Sequence, residues 1–544
     1  MTENNTLRNG ITRRKALEGL GLIGATTLAG CSNIKPTASQ GVGLADMRIA
    51  TVLSPTTLDP FMLKGIPSEQ VISQIFQGLY TYGDSTDLVP ELADGEPQVS
   101  NNGRTYTVKL AKEAKFQNGQ PVTAEDVKYS FEEPLRKQPD VSWDHPTFAN
   151  RWKLNMIEAV KTPNERTIRF ELSHLYPSFH HVLTQFIVPK SVREADPKAF
   201  AHDPVGSGPF EVDLFKPGKY ALLTRWKDYW DTPKPQIDQV KFIPVFSGIT
   251  RTMSLWTNQN HIAETVEPKF WQVTKGFSNT RVSAVDSFWY YYLGFNCNEG
   301  PTTDPRVRKA IDYCVDMDEM VKNMINPAGK RQYSPLPRRL AEQWKMPLEE
   351  WENIPRKKNI PRAKELFDEA GIERWAPKIA VPGTKSSGDE LREKMAEAVV
   401  EGLGSATFLQ AKVDKYPWPV FQEKILTGAD YDMFIGDWVG FPDPDSFMYP
   451  LFHEDNEGET NGTFYQNEEV MNKLSEARKS DQHEKRKQLY ESAITTVLED
   501  RVHLPLYMLK NSFALRDSVS GFSPHPITTI NPRLVGSKHS VSLE

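Results

Sequence analysis

The sequence predicts an α/β protein of several domains, and three observations carry that expectation. Between 378 and 436 the hydrophobic period switches repeatedly between strand and helix: strand 378–381, helix 389–401, strand 407–413, helix 417–427, strand 431–436. Such a series needs a sheet with helices packed on it. At 544 residues the chain has room for about two to four domains, each able to bury a core. Its composition, 38% hydrophobic and 25% charged, is that of a globular protein rather than a disordered or fibrous one.

The earlier elements follow in order. Residues 47–53 form a strand closed by Ser54-Pro55, and 68–79 is a helix with Val71, Ile72, Ile75, Phe76 and Leu79 on one face. Residues 105–110 alternate like a half-buried strand after the turn Asn101-Asn102-Gly103. The turn Asn118-Gly119 precedes a helix capped by Thr123, with Asp126 at its third position, that runs to Pro134. Residues 167–172 are a further strand, and 178–188 an apolar stretch stopped by Pro189. A glycine turn at 205–208 feeds a hairpin over 210–226, bent at Pro217-Gly218. Residues 304–324 are expected as one helix: Asp304 is its cap, Pro305 its first residue, and Val307, Ala310, Ile311, Cys314, Val321 and Met324 its buried stripe. Residues 504–507 and 512–515 supply two late strands.

Several function classes are excluded. Sixty-five Lys plus Arg against 71 Asp plus Glu give a net charge of -6, which disfavours a nucleic-acid partner. Three cysteines cannot staple a scaffold of this size. After residue 30 no apolar run reaches the roughly 18 residues of a membrane span. Ser207 lacks the Gly-x-Ser-x-Gly elbow and is read as part of a tight bend. There is no His-Glu-x-x-His, phosphate-binding loop or dinucleotide fingerprint. His174, His180 and His181 are the local histidine cluster, but adjacent helical residues point about 100° apart, so they are read as surface or hydrogen-bonded side chains. Neither metal nor cofactor is expected, nor enzyme activity. Cys297 and Cys314 are read as reduced, buried small hydrophobes.

Residues 1–30 form an export segment, followed by a flexible tether over 31–45. Arg13 and Arg14 precede a weak, glycine-rich apolar stretch and resemble a twin-arginine signal. Leu28-Ala29-Gly30-Cys31 resembles a lipoprotein box, which would make Cys31 the lipidated N-terminus of an extracytoplasmic, membrane-anchored protein.

Two aromatic concentrations are candidates for a ligand cleft or for ordinary core or interdomain packing. One is Trp289-Tyr290-Tyr291-Tyr292; the other is Trp438-Val439-Gly440-Phe441-Pro442-Asp443-Pro444-Asp445, a rigid loop following a strand. The carboxyl ends of strands are the usual binding edge of α/β sheets.

Distributed motifs then point to a family. They are 114–127 (AKFQNGQPVTAEDV), Gly206-Ser207-Gly208-Pro209-Phe210, Arg225-Trp226-Lys227-Asp228-Tyr229-Trp230, Leu293-Gly294-Phe295-Asn296 and 304–311 (DPRVRKAI). Together they resemble the solute-binding proteins of peptide-type ATP-binding-cassette importers, the bacterial family 5, over nearly all of 46–520. The resemblance implies a two-lobed fold of the periplasmic-binding-protein type II kind with a hinge. One lobe would comprise 46–85, 203–284 and 497–544, carrying an inserted domain at 86–202, and 285–496 would form the other. It also implies a monomeric receptor that closes on its solute and delivers it to permease and ATPase subunits.

Ligand class stays open among peptides, oligosaccharides or other organic solutes, and metal chelates. Peptide-binding relatives place an aspartate three residues before the acidic residue of the Asp-Pro pair, where it holds the peptide ammonium. Here that position is Gly440, which cannot form the ion pair. Asp437, Asp443 and Asp445 are nearby carboxylates, and Trp289, Tyr290, Tyr291, Trp418, Trp438 and Phe441 are candidate aromatic contacts.

Overall fold

The computed structural model describes residues 46–63, 65–135, 152–354, 357–383, 387–406 and 408–544, with backbone alone at 387–388. Arg13, Arg14, Cys31 and the 31–45 tether lie outside the described residues.

A twelve-stranded mixed sheet runs through the molecule. Its first half is built on Met47–Thr51, which pairs in parallel with Gln239–Pro244 and Ile262–Glu264; the hairpin Phe210–Lys216 and Tyr220–Arg225 extends its edge. Its second half holds Lys378–Pro382 in parallel between Lys412–Tyr416 and Met433–Val439, with Ser387–Gly404 and Trp418–Thr427 as the crossover helices. Parallel neighbours require such crossovers, so the alternating sequence period has a direct structural counterpart. Met433–Val439 pairs antiparallel with Trp289–Phe295.

The strand His503–Arg516 joins the halves. Its first part pairs with Trp289–Phe295 and Gly329–Arg331, its last part with Ile262–Glu264 and Thr280–Asp286. The two late strands expected from the sequence are therefore one continuous element.

A separate four-stranded antiparallel sheet is ordered Gln98–Ser100, Thr105–Lys109, Thr167–Leu172, Ile157–Asn164. The helix Ala124–Glu132 packs beside it, and Val108, Phe131, Ile168 and Phe170 share one core there. Thr123 and Asp126 form a reciprocal capping box at the helix start. Asp126 also accepts the Lys190 amide at 2.9 Å, tying that helix to the following segment.

Three expectations are corrected. The single helix over 304–324 is two, Pro305–Cys314 and Met317–Ile325. Val315 is extended (φ -121°, ψ 132°), and Asp316 starts a new helix by accepting the Glu319 amide at 2.9 Å. The strand expected at 407–413 is Lys412–Tyr416, because Lys378 is in register with Lys412. The helix expected over 68–79 is Ile66–Ile75. Beyond it, a Cβ at Gly78 would lie 2.8 Å from the Thr184 carbonyl oxygen, so the chain there is pressed against its neighbour in extended form.

One buried ion pair anchors the segment leading into the site. Arg193 Nε donates to the fully buried Asp59 at 2.9 Å, and another guanidinium N–H donates to Tyr129 at 2.9 Å. Asp59 also accepts the Phe61 amide at 2.9 Å and so starts the short turn Pro60–Met62. Arg193→Ala should lower unfolding free energy by about 3–5 kcal/mol, because it strands a buried carboxylate. Urea denaturation at neutral pH measures this loss; a change within error of zero would mean Asp59 finds another partner.

Candidate functional site

A cavity of about 280 Å³ lies where the first half of the sheet, the segment around the four-stranded sheet and the C-terminal chain meet. Its lining includes Pro60, Leu63, Glu69, Tyr82, Lys153, Thr529 and Arg533. The early end of the helix at Ile66–Ile75 and the extended chain at 78–82 bring these groups together.

Charges of both signs face this space. Burial pushes the Glu69 carboxyl above its ordinary range, opposed by Lys153 and by a hydrogen bond with Thr529. Burial likewise pulls the Lys153 ammonium down, opposed by Glu69. Both side chains are half-buried here, and each favours the other's charged form. Glu91 is lifted to about 7 by burial, against the Gly78 amide that donates to it at 2.9 Å and the field of Arg533. Arg533 donates to the Tyr82 and Gly83 carbonyls.

An aromatic series runs from beside the cavity into the second half. Tyr82 packs on His181 (5.9 Å between centroids, 23°), His181 on Phe441 (4.9 Å, 16°), and Phe441 on Trp152 (5.6 Å, 21°). Trp438 meets Trp152 at 6.4 Å and donates its indole N–H to the Ser446 carbonyl at 2.6 Å. Burial, then His180 and Arg486, lower His181 to about 3, so it is neutral at physiological pH and packs as an uncharged ring.

Polar groups secure the same contact. Arg486 donates to both oxygens of Asp443 at 2.7 and 2.9 Å, and to Ser178 at 3.2 Å. Asp445, fully buried, accepts from Tyr176 at 2.7 Å and Tyr490 at 3.2 Å, with Arg478 at 3.8 Å. Arg478 also donates to the Trp152 carbonyl. Tyr176, Ser178 and Trp152 come from around the four-stranded sheet, and the aspartates from the loop after Met433–Val439.

The residues singled out by sequence thus have distinct places. Phe441 and Trp438 lie at the interface beside the cavity, while Asp443 and Asp445 hold that interface together. Tyr290 and Tyr291 point to opposite faces of their strand and are buried in two separate cores. Trp289 donates to Asp437 at 2.7 Å, and Asp437 also pairs with Arg392. Trp418 is 37% exposed on an outer helix, packed on Phe421, away from the cavity lining. At Gly440 a Cβ would lie 2.4 Å from Ser446 Oγ and 2.7 Å from the Phe447 ring, so packing alone demands glycine.

Sequence reasoning missed Glu69, Lys153, Trp152 and Arg533. Glu69 in a first helical turn reads as an ordinary dipole complement, and an isolated lysine or arginine reads as a solvated surface group. Among the described residues, no group of three His, Cys, Asp or Glu side chains is placed to hold a metal. Cys297 and Cys314 are free, their thiols pushed up by burial to about 11 and about 12.

The chain matches the family model for bacterial extracellular solute-binding proteins, family 5, over residues 87–459. It is 26% identical over 507 residues to the probable D,D-dipeptide-binding periplasmic protein DdpA of Escherichia coli (strain K12), covering 90% of this chain and 94% of that one. It is 24% identical over 519 residues to the glutathione-binding protein GsiB of Shigella flexneri serotype 5b (strain 8401), with the same coverage, 90% and 94%. Among solved structures, the ABC transporter-associated periplasmic binding protein DppA from Helicobacter pylori, in complex with peptide STSA, superposes with a TM-score of 0.79 at 20% identity, covering 92% and 98% of the two chains. That likeness establishes the mixed α/β fold of the type II periplasmic binding proteins.

Two expected outcomes follow from this geometry. Gly440→Asp should cost about 1–3 kcal/mol of stability through overpacking, without tightening binding of any peptide; a lower Tm with unimproved calorimetric affinity is the result to look for. Glu91, raised in the folded state, binds its proton more tightly there than when unfolded. Its contribution therefore favours folding at low pH and is lost as pH rises through about 7. Glu91→Gln should accordingly raise Tm at pH 8 and change it little at pH 5.

Proposed function

This chain belongs to the bacterial extracellular solute-binding proteins of family 5, and from that premise we propose that it captures peptides, held to the membrane by a lipid on Cys31. The coarser role is that of an extracytoplasmic solute-binding protein of an ATP-binding-cassette importer, with permease and ATPase partners and no enzymatic step of its own. Among the described residues no helix is long and apolar enough to cross a membrane.

The observation that carries the peptide reading is the cavity whose lining includes Glu69, Lys153 and Arg533. A peptide brings an ammonium, a carboxylate and amide dipoles, the groups such a lining complements. The names of DdpA, GsiB and the DppA complex, which cite a D,D-dipeptide, glutathione and a peptide, support the same reading. An oligosaccharide is less well served. The Phe441 ring already stacks on both Trp152 and His181, so it has little face left for a sugar.

In the proposed cycle, one lobe (46–85, 203–284, 497–544) with its inserted domain (86–202) closes against the other (285–496) as a monomer, around the ligand. The residues lining the cavity all come from the first lobe and its inserted domain, so closure is favoured through the contacts that lobe makes with the other. The contacts of Phe441 with Trp152, and of Asp445 with Tyr176, are the ones closure would make and opening would break.

Native mass spectrometry of the chain purified gently from a host in rich medium tests the ligand class. A ladder of adduct masses spaced like amino-acid residues is expected; hexose spacing would replace the peptide reading with an oligosaccharide one, and a nickel-containing adduct with a chelate. Cys31→Ser should move the protein from the membrane fraction to the soluble extracytoplasmic fraction; retention on the membrane would remove the lipid anchor.

A further inference from the structure

Of the histidines at 174, 180 and 181, two lie against the second half of the molecule and one does not. His180 is turned inward: its ring meets Tyr106 edge-on at 5.2 Å, and its Nδ1 faces the Pro177 carbonyl. His181 is half-buried and stacks with both Tyr82 and Phe441, the latter from the second half. Its Nδ1 shares a hydrogen bond with the Tyr82 hydroxyl at 3.2 Å, and Tyr82 itself lines the cavity. His174 is also half-buried. Its Nδ1 lies 3.0 Å from Ser173 Oγ, while its Nε2 has no hydrogen-bond partner among the described residues.

The charges facing these two rings are already matched without them. Arg486 acts on His181 from the second half, but both oxygens of Asp443 accept from that guanidinium, which also donates to Ser178. Arg478 and Lys479 face His174. Asp445 acts the other way there, yet it accepts from Tyr176 and Tyr490 and has Arg478 at 3.8 Å. From the cavity side Glu69 acts on Tyr82 and is opposed by Lys153. A proton added to either ring thus sets a second cation beside an arginine whose carboxylate is taken.

We propose that His181, assisted by His174, is a proton-operated release: protonation drives 174–181 away from the second half, opens the lobes and frees the solute. The switch rests on the receptor reading above and on its closure of 86–202 against 285–496, to which it adds a control. Tyr82 couples it to the site, since that ring meets the cavity on one side and His181 on another, and His181 meets Phe441. In the closed form burial, His180 and Arg486 hold His181 down at about 3. Once the faces part, the ring returns toward its ordinary value of about 6.5. The open form therefore binds the proton more tightly. Closure is at full strength above about pH 6.5 and weakens as pH falls below it. Burial, Arg478 and Lys479 lower His174 in the same sense, against Asp445.

The test is calorimetric titration of the full purified chain with a defined library of di- and tripeptides, the tightest member then being measured at pH 8 and pH 5. Wild-type affinity should fall about 10–30-fold between them. Glu91 titrates in the same window from within the cavity, so the histidine variants carry the decision. His181→Phe keeps a stacking ring and should lose most of the fall; His174→Gln should lose a smaller share, and His180→Gln none. Because the readout is the ratio of two affinities, a change in absolute affinity does not disturb it. Thermal denaturation at both pH values checks folding, and His181→Asn replaces the phenylalanine variant should that one not fold. Small-angle scattering of the loaded wild type should show a larger radius of gyration at pH 5, and that of His181→Phe should not. A wild-type fall below threefold, or the same fall in His181→Phe as in the wild type, would overturn the switch and leave the receptor role standing. A chain that binds no library member at either pH would remove the peptide reading, and the switch with it.

Discussion

Everything at the site depends on one shared strand. His503–Arg516 is hydrogen-bonded to the second half through residues 503–509 and to the first through 510–516. Relative motion of the halves must be absorbed where the chain passes between them, at this strand and at the link between Thr280–Asp286 and Trp289–Phe295. Ser287 in that link donates to the Leu509 carbonyl, so the two passages touch. Asn511, at the change of partners, donates to the His525 and Pro526 carbonyls at 2.7 and 3.1 Å and accepts from Thr528 at 3.1 Å. Thr529 and Arg533 lie just beyond and face the cavity. One wall of the site is thereby built directly onto the point about which the halves would turn.

The far side of the site is held by a different kind of contact. Trp152, Phe441 and His181 supply apolar area and stacking, while Asp443–Arg486 and Asp445 with its tyrosines supply direction. A buried ion pair adds little net stability over an apolar replacement, because desolvation offsets most of its attraction. Its consequence is discrimination: a misregistered closure would leave Asp443 or Asp445 without its partner, at several kcal/mol by the same reasoning. The rings alone would tolerate sliding, since stacking is weakly directional. Together they make the closed arrangement discrete, as a two-state receptor requires.

The sequence made the local and repetitive features legible, and left hidden those that depend on long-range placement. Alternating periods around 378–436 and the turn at Pro217-Gly218 announced their elements because each signal lies within a few residues. The break at Val315 went unseen because the apolar stripe continues across it, although Asp316 with Glu319 three residues on was a capping signal. At the site, the loop 438–445 stood out by composition, and its Phe441 and Trp438 do lie at the interface. Tyr290 and Tyr291 stood out equally, yet a strand buried on both faces in an α/β sheet is also rich in aromatics. Glu69 and Lys153 carried no local mark. What distinguishes them is that they line one cavity, and that is decided by chain segments far apart in sequence.

Gly440 shows why a missing residue is informative only once its surroundings are known. From sequence, a glycine where relatives carry an aspartate reads as a lost contact, and therefore as doubt about peptides. In the folded chain the helix Asp445–Phe452 packs so closely on the loop that no Cβ fits. That packing brings Ser446 Oγ within 2.8 Å of the Phe441 carbonyl and the Trp438 indole within 2.6 Å of the Ser446 carbonyl. The same compression therefore fixes the two rings that meet Trp152. Excluding a carboxylate from this loop and presenting its aromatic face are one structural decision.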